Sequence, residues 1–515
     1  MKIWLRQPNW PWNPERYRFP VEQMLLTLFP GEKPVYPDTT YPDIPPNGPA
    51  EEGDVVISLF RGARLATVSV LVKLEDRFQN GAARFPSEKL DEPEERVYHT
   101  VSHALKRAFY KAGTALLGHE LPWGSLTGVR PVKLPTRAML TGKTAKQAER
   151  ELRGEYRVSP PRAALAVECA RAALDVQKGL RRDGLSFYLG VPFCPTRCAY
   201  CSFISSDVKG SLSLVEPYVD ALCREIELAG ALLREKGLHI ASAYMGGGTP
   251  TTLTAGQLDR VLACAERSLP MEHCTEFTVE AGRPDTLTAD KLETLRAHGI
   301  GRISINPQTM EDRVLRAIGR GHTAAQIEYA YELAQKHFGG LVNMDLIAGL
   351  PADTRSGFGR TLDRVLALGP DNITVHTLAL KKGSRLTEEG GTLPAPEDVE
   401  AMLELASRRL RGAGYAPYYL YRQKYMSGSF ENVGWARPGT ECAYNIVMME
   451  ELQTVLSLGA GGITKLVDPD KGQIVRLNNP KYAREYLESW DKISADKRAA
   501  AAFQAALAQG LVPFS

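Results

Sequence analysis

Apolar positions follow one rhythm up to about residue 184 and another after it. In the first stretch, Asp54-Val-Val-Ile-Ser-Leu-Phe60 and Ala66-Thr-Val-Ser-Val-Leu-Val72 alternate enough to predict a β-hairpin. Residues 94–117 and 160–180 carry helical spacing, and the Pro-rich run from Pro34 to Pro49 reads as a loop. Residues 1–184 are therefore expected to form a small accessory α/β domain. From Leu185 onward, short β-branched runs recur near Phe187–Val191, Ile240–Met245, Glu276–Glu280, Arg302–Asn306, Val342–Ile347 and Asn372–His376. Helical segments separate them. Repeated βα units predict a parallel sheet with helices outside, as an open barrel or a doubly wound sheet. The alternation stops after residue 378. A helix over 395–412, the aromatic run Tyr415-Ala-Pro-Tyr-Tyr-Leu-Tyr421 and a helical tail predict a mostly helical extension over 379–515, read as a lid or substrate-binding part.

Composition narrows the class only a little. Hydrophobic content of 43% with 24% charged residues is ordinary for a globular chain. A net charge of +3 implies no polyanion partner, and no basic stripe of the nucleic-acid-binding kind is present. No apolar run reaches the length of a membrane span, and the N-terminus lacks the apolar core of a signal peptide. The expected location is cytoplasmic, without membrane or nucleic-acid partners. Five cysteines (Cys169, Cys223, Cys264, Cys274, Cys442) have no framework spacing, which suits a reducing compartment.

The other three cysteines carry the chemistry. Cys194, Cys198 and Cys201 form a C-x3-C-x2-C loop directly after the first strand of the repeating region. With eight cysteines in the chain, chance gives that spacing about two times in a thousand. Thiolates are soft ligands suited to iron–sulfur clusters or zinc. Three of them leave a metal position open for a second ligand. A zinc knuckle or buried reduced thiols are the alternatives.

Further polar motifs fall on one strand end after another, where parallel α/β folds gather their functional groups. Met245-Gly-Gly-Gly-Thr-Pro-Thr-Thr252 allows close backbone approach to a ligand but lacks the Lys of a phosphate loop. Glu280 ends the third strand, Gln308 follows the fourth, and Arg320 lies in Gly319-Arg-Gly-His-Thr323. Asp345, within Asn343-Met-Asp-Leu-Ile-Ala-Gly-Leu-Pro351, is costly to bury unless paired or facing a ligand.

In combination, the cysteine loop, Gly-Gly-Gly-Thr-Pro and Asp-Leu-Ile-x-Gly-Leu-Pro resemble the radical S-adenosylmethionine superfamily. The resemblance is to its oxygen-independent coproporphyrinogen III oxidases (dehydrogenases), over about residues 185–465. It implies a partial (β/α)6 barrel over 185–378, with Cys194, Cys198 and Cys201 holding a 4Fe–4S cluster whose fourth iron takes S-adenosylmethionine. Tyr188 and Tyr200 would pack near that cofactor, and Gly247, Gly248 and Thr249 would line its methionine end. Glu280, Gln308 and Asp345 would meet the nucleoside, Arg320 the carboxylate and Ala379 the adenine. The implied reaction is radical decarboxylation of coproporphyrinogen III propionates to vinyl groups, fed by an electron donor such as flavodoxin or ferredoxin.

Tyr188, Arg422 and Cys442 are the catalytic candidates. Arg422 and Lys424 would pair substrate carboxylates while Tyr418, Tyr419, Tyr421 and Trp435 face the macrocycle, and Cys442 would serve as a redox or radical-quenching group. His322 and His376 are candidate proton donors. Better-known members carry His where this chain has Gly190, and a further Cys where it has Phe203. The chain looks more like a longer branch with an extra N-terminal domain, which its Phe430-Glu-Asn-Val-Gly-Trp-Ala-Arg-Pro-Gly-Thr-Glu-Cys442 fits. A haem-binding chaperone of the same family, or a radical enzyme that methylates and degrades haem, are the alternative functions.

Overall fold

The computed structural model describes residues 1–6, 14–36, 54–201, 206–207, 209–380, 384–389, 393–423 and 429–511. The expectations for the Pro-rich loop beyond residue 36, and for Phe203 and Lys424, lie outside the described residues. The chain divides into two compact units, Met1–Val167 and Glu168–Ser515. The division falls inside the helix Pro160–Gly179.

In the first unit, strands β1 (Lys2–Arg6), β2 (Asp54–Arg61), β3 (Leu65–Leu74) and β4 (Arg77–Pro86) form one sheet in that order. β1 runs parallel to β2, and the rest is an antiparallel meander. The expected hairpin is β2–β3; β1 and β4 were not foreseen. Ala66, Val68, Val70 and Val72 alternate onto the buried face of β3. The helix Glu94–Leu117 buries Val97, Val101, Leu105, Ala108 and Phe109 in the same core. Gly81 of β4 is what admits this helix so closely, since a Cβ there would sit 2.0 Å from the Ala108 carbonyl oxygen.

The second unit is built on one long sheet. β5 (Gly184–Val191), β6 (His239–Gly247), β7 (Phe277–Glu280), β8 (Arg302–Ser304), β9 (Leu341–Ala348) and β10 (Asn372–Thr377) pair parallel in sequential order. Helices such as Leu212–Glu235, Ala255–Ser268 and Ala324–His337 connect them, as the alternating pattern predicts. Capping boxes at Thr254 and Thr323 fix two of these helix starts.

The region after residue 378 contains helices, including Pro396–Gly412 and Trp490–Ala508, and it also lengthens the sheet at both edges. The strands β11 (Ala416–Arg422) and β12 (Glu431–Ala436) form a hairpin whose second strand pairs antiparallel with β10. The aromatic run is thus a strand. Gly434 accommodates it, because a Cβ there would meet the Tyr419 ring at 1.9 Å. At the other edge β13 (Val455–Leu458) runs parallel beside β5, followed by antiparallel β14 (Ile463–Asp468) and β15 (Gln473–Asn478). Neither edge extension was legible beforehand.

Register decides what faces the barrel interior. Tyr188 lies opposite Tyr244, Tyr244 opposite Thr278, Glu280 opposite Ser304, Ser304 opposite Asn343 and Asp345 opposite Thr374. With a side-chain period of two, Tyr188, Tyr244, Glu280, Asp345 and His376 share one face. All five are half-buried, and in β5 and β10 Tyr188 and His376 are the half-buried positions of otherwise buried strands. The interruptions of the apolar pattern therefore mark the interior surface of the barrel.

Candidate active site

The cysteine loop leaves the end of β5 and is anchored by backbone before any side chain acts. Gly248 N–H donates to the Val191 carbonyl at 2.7 Å, and Thr249 N–H to the Phe193 carbonyl at 2.7 Å. A Cβ at Gly248 would fall 2.4 Å from the Phe193 oxygen, and Gly247 adopts φ +112°. The glycines after β6 thus exist to let two strand-end loops touch. Thr249 Oγ1 lies 3.5 Å from Cys194 Sγ. Farther along the loop, Ala199 N–H bonds the Ile318 carbonyl and its own carbonyl accepts from Leu386 N–H.

None of the three cysteines is in a disulfide; Cys198 is buried and Cys194 and Cys201 are half-buried. Beside them lies a buried cation that sequence reading did not single out. Arg283 Nη1 is 3.8 Å from Cys198 Sγ and 3.0 Å from Thr196 Oγ1. Asp285 holds this guanidinium through two contacts of 3.0 and 3.1 Å. Burial pushes the Asp285 carboxyl up, but the neighbouring His322 and the hydrogen-bonded Arg283 outweigh it and keep the group below the carboxylate range. The signal was the Arg immediately before Pro284 in the strand-end motif.

Arg320 ties the same mouth together. Its Nη1 donates to the Gly282 and Asn306 carbonyls at 3.1 and 3.2 Å, and its Nη2 to the Tyr200 hydroxyl at 3.0 Å. Gln308 takes a left-handed φ of +65°, and its backbone exchanges bonds with β9, N–H to the Asp345 carbonyl and C=O from Ile347 N–H. Two polar atoms at this mouth, Asn306 Oδ1 and Arg320 Nε, are buried without a hydrogen-bond partner among the described residues.

Inside the barrel, Tyr188 stacks on Tyr244 and Tyr244 on Tyr444, with centroids 6.2 and 4.8 Å apart. The Tyr244 hydroxyl donates to Glu280 Oε1 at 2.8 Å. Burial, with the Asp345 charge added, raises the Glu280 carboxyl to about 7 against that hydrogen bond. Asp345 Oδ2 stands 3.7 Å from His376 Nε2, and the Tyr421 hydroxyl lies 3.5 Å from His376 Nδ1. Ala379 is half-buried just past β10.

Two catalytic candidates are buried and bonded within the protein. Cys442 is fully buried below the starts of the strands, its Sγ 3.0 Å from Glu276 Oε1. Burial and that carboxylate push its thiol well up. Glu276 also accepts the N–H groups of Ala443 and Tyr444 and pairs with Arg302 at 3.4 Å. Arg422 is buried in its hairpin, with Nε and Nη2 on the Ser429 carbonyl at 3.0 and 2.8 Å. His322 is buried beside Asp285 at 3.7 Å. No three His, Cys, Asp or Glu side chains among the described residues converge on one metal-ion position.

A parallel α/β barrel with three cysteines at its mouth matches a known class, and residues 188–365 fit the family model of the Radical SAM superfamily. The chain is 38% identical over 412 residues to the oxygen-independent coproporphyrinogen-III oxidase-like protein HemZ of Bacillus subtilis, covering 79% of this chain and 82% of that protein. It belongs to that oxidase-like family of radical SAM proteins. The heme chaperone HemW of Escherichia coli is 27% identical over 316 residues, which cover 60% of this chain and 79% of HemW. The solved structure of the coproporphyrinogen III oxidase HemN of Escherichia coli superposes with a TM-score of 0.50 at 24% identity, covering 62% of this chain and 72% of HemN. That likeness supports the fold. No helix among the described residues is long and apolar enough to cross a membrane.

Proposed function

We propose that this chain catalyses the oxygen-independent oxidative decarboxylation of coproporphyrinogen III to protoporphyrinogen IX, a step of haem biosynthesis. The observation that carries the reading is the similarity over most of its length to a protein named for coproporphyrinogen-III oxidase. Cys194, Cys198 and Cys201 are the proposed ligands of a 4Fe–4S cluster. A cuboidal cluster takes one thiolate per iron, so its ligands need to line a cavity rather than meet at a point. Three cysteines outside any disulfide on one loop, with Arg283 beside Cys198, fit that group. When bound, the cluster and S-adenosylmethionine supply the one-electron cleavage that abstracts hydrogen from a substrate propionate.

The chain's own groups have definite tasks in this reading. Gly247, Gly248 and Thr249 hold the end of β6 against the cysteine loop beside Cys194. Glu280, Gln308 and Asp345 offer acceptors for hydroxyl groups, and Tyr188, Tyr200 and Ala379 offer walls. Arg320 braces the loops around a carboxylate site. Tyr244, Tyr419, Tyr421 and Tyr444 supply the apolar lining that a macrocycle requires, while Arg422, held on the Ser429 carbonyl, braces the hairpin. An external one-electron donor of the flavodoxin or ferredoxin kind supplies the electron for that cleavage, and an external electron acceptor takes the one released as each propionate loses carbon dioxide.

The test is anaerobic turnover of cluster-reconstituted protein with coproporphyrinogen III, S-adenosylmethionine and reductant, followed by chromatography. Protoporphyrin with 5′-deoxyadenosine, both lost in Cys198→Ala, is the expected result. 5′-Deoxyadenosine without a porphyrin change rejects this substrate, and S-adenosylhomocysteine identifies a methyl-transferring enzyme. Tight haem binding without either product favours a chaperone, the function named for the HemW relatives.

A further inference from the structure

His376 interrupts the buried strand β10 with a polar ring whose task the reaction above leaves open. The register places Asp345 of β9 opposite Thr374, so His376 sits two residues farther along the neighbouring strand. Both side chains share the interior face, diagonal to each other. The observed contact agrees with that placement. His376 Nε2 stands 3.7 Å from Asp345 Oδ2, the one ion-pair contact of Asp345 among the described residues. A carboxylate can only accept, so the ring nitrogen that faces it carries a proton.

The other ring nitrogen is engaged as well. His376 Nδ1 lies 3.5 Å from the Tyr421 hydroxyl, and the two rings meet edge-on with centroids 6.5 Å apart. Gln423 Nε2 donates to the same hydroxyl at 3.4 Å, which leaves the Tyr421 proton for Nδ1. The neutral ring is thereby held in its Nε2–H form. Tyr421 is itself steadied by a parallel stack on Tyr419 at 6.4 Å, and the Tyr419 hydroxyl lies 3.3 Å from Thr374 Oγ1. One line of contacts therefore runs from the hairpin β11–β12 back to Asp345. A merely solvated histidine at a strand end would need none of it.

We propose that His376 is a positioning residue that holds Asp345 ready for the nucleoside of S-adenosylmethionine. With Oδ2 turned to Nε2–H, Asp345 Oδ1 is left for a ribose hydroxyl. An acceptor already fixed in place loses less freedom when the ligand arrives, so binding is tighter. Tyr421 keeps the donor nitrogen on the side of the carboxylate. The assignment rests on the cofactor reading proposed above, and it adds a residue that acts on the nucleoside only through Asp345.

Equilibrium dialysis of the cluster-reconstituted, unreduced full chain against S-adenosylmethionine measures this without turnover. His376→Phe keeps a planar ring but no donor, and should weaken binding about tenfold, the worth of one hydrogen bond to a charged group. His376→Gln carries an amide N–H in place of Nε2–H and should recover most of that loss at equal iron content. Added to Asp345→Asn, His376→Phe should weaken binding little further, because the two side chains act as one unit. Should His376→Phe lose iron, His376→Asn, whose amide stops short of Asp345, replaces it with the same expectation. Wild-type affinity in His376→Phe, equal weakening by Phe and Gln, or full additivity with Asp345→Asn overturns the proposal. A wild-type chain that holds iron but binds no S-adenosylmethionine rejects the cofactor reading, and this assignment with it.

Discussion

The Tyr218 hydroxyl donates to the Gly190 carbonyl at 2.6 Å and accepts the Ala460 N–H at 2.9 Å. One buried phenol therefore clamps the end of β5, four residues before the first cysteine of the loop, to the chain beyond β13. Phe193 packs edge-on against the same ring, with centroids 5.3 Å apart. Gly190 is glycine because a Cβ there would lie 2.9 Å from the Ala460 oxygen. A larger residue at this position would collide with the turn that follows β13. Tyr218→Phe should cost about 1–3 kcal/mol, since two buried backbone groups lose their partner. Gly190→His should cost more and should lower iron retained after reconstitution. Urea unfolding and iron analysis check both; an unchanged unfolding midpoint in Tyr218→Phe would sink the argument.

Arg283 is expected to set the electronics of the cysteine loop. Its charge lies beside Cys198 Sγ and its orientation is fixed by Asp285. Removing that cation with Arg283→Leu should make a bound cluster harder to reduce, by about 60 mV for each ~1.4 kcal/mol of lost stabilisation. Arg283→Lys keeps the charge but not the fork that matches Asp285, so it should recover only part of the shift. Redox titration followed by electron paramagnetic resonance measures this without turnover. Equal potentials in all three proteins would reduce Arg283 to a packing role.

The sequence made the parallel core readable because each of its strands is a short apolar run interrupted at the position that faces the interior. Tyr188, Asp345 and His376 are such interruptions, and strand order followed chain order. The hairpin β11–β12 was hidden for a physical reason. Its aromatic residues pack on both sides, with Tyr418 and Tyr419 both buried, so no alternation survives. The strand β13 was hidden because its pairing with β5 is set by tertiary contacts across the whole unit. Among site residues, the cysteines and glycines were legible through spacing. Arg283 and Tyr244 were not, because a lone Arg or Tyr gains meaning only when folding brings it to a thiol or a carboxylate.

Glu280 should leave a pH signature in the protein free of cofactor. Burial, reinforced by Asp345, raises its carboxyl from 4.5 to about 7. Between those values the folded chain binds more protons than the unfolded one, so stability falls as pH rises through that window. Glu280 is only partly shielded from solvent, so the loss should be on the order of 1–2 kcal/mol. Glu280→Gln should flatten the slope between pH 4.5 and 7, read as the difference between two series of urea midpoints. Parallel series would mean that Glu280 is ionised throughout.

Lys497 and Glu225 form the most deeply buried ion pair described in the second unit, 3.1 Å apart and almost without solvent exposure. Glu225 also accepts from Gly459 N–H at 2.8 Å, Asn479 Nδ2 at 2.9 Å and Tyr486 Oη at 2.6 Å. Lys497 in turn donates to Asn479 Oδ1 at 3.1 Å. Through Gly459 this network reaches the bend held by Tyr218, so the helix Trp490–Ala508 is linked to the backbone that carries the cysteine loop. Lys497→Met strands a buried carboxylate and should cost about 3–5 kcal/mol. Adding Glu225→Gln removes the uncompensated charge while keeping groups that can hydrogen-bond, so the double variant should be more stable than Lys497→Met alone. The pair makes a strict comparison, because a helix that merely packs by its apolar face would rank the double variant lower. Thermal unfolding of both proteins decides between those orders, and iron retention in the double variant reports how far the network steadies the loop.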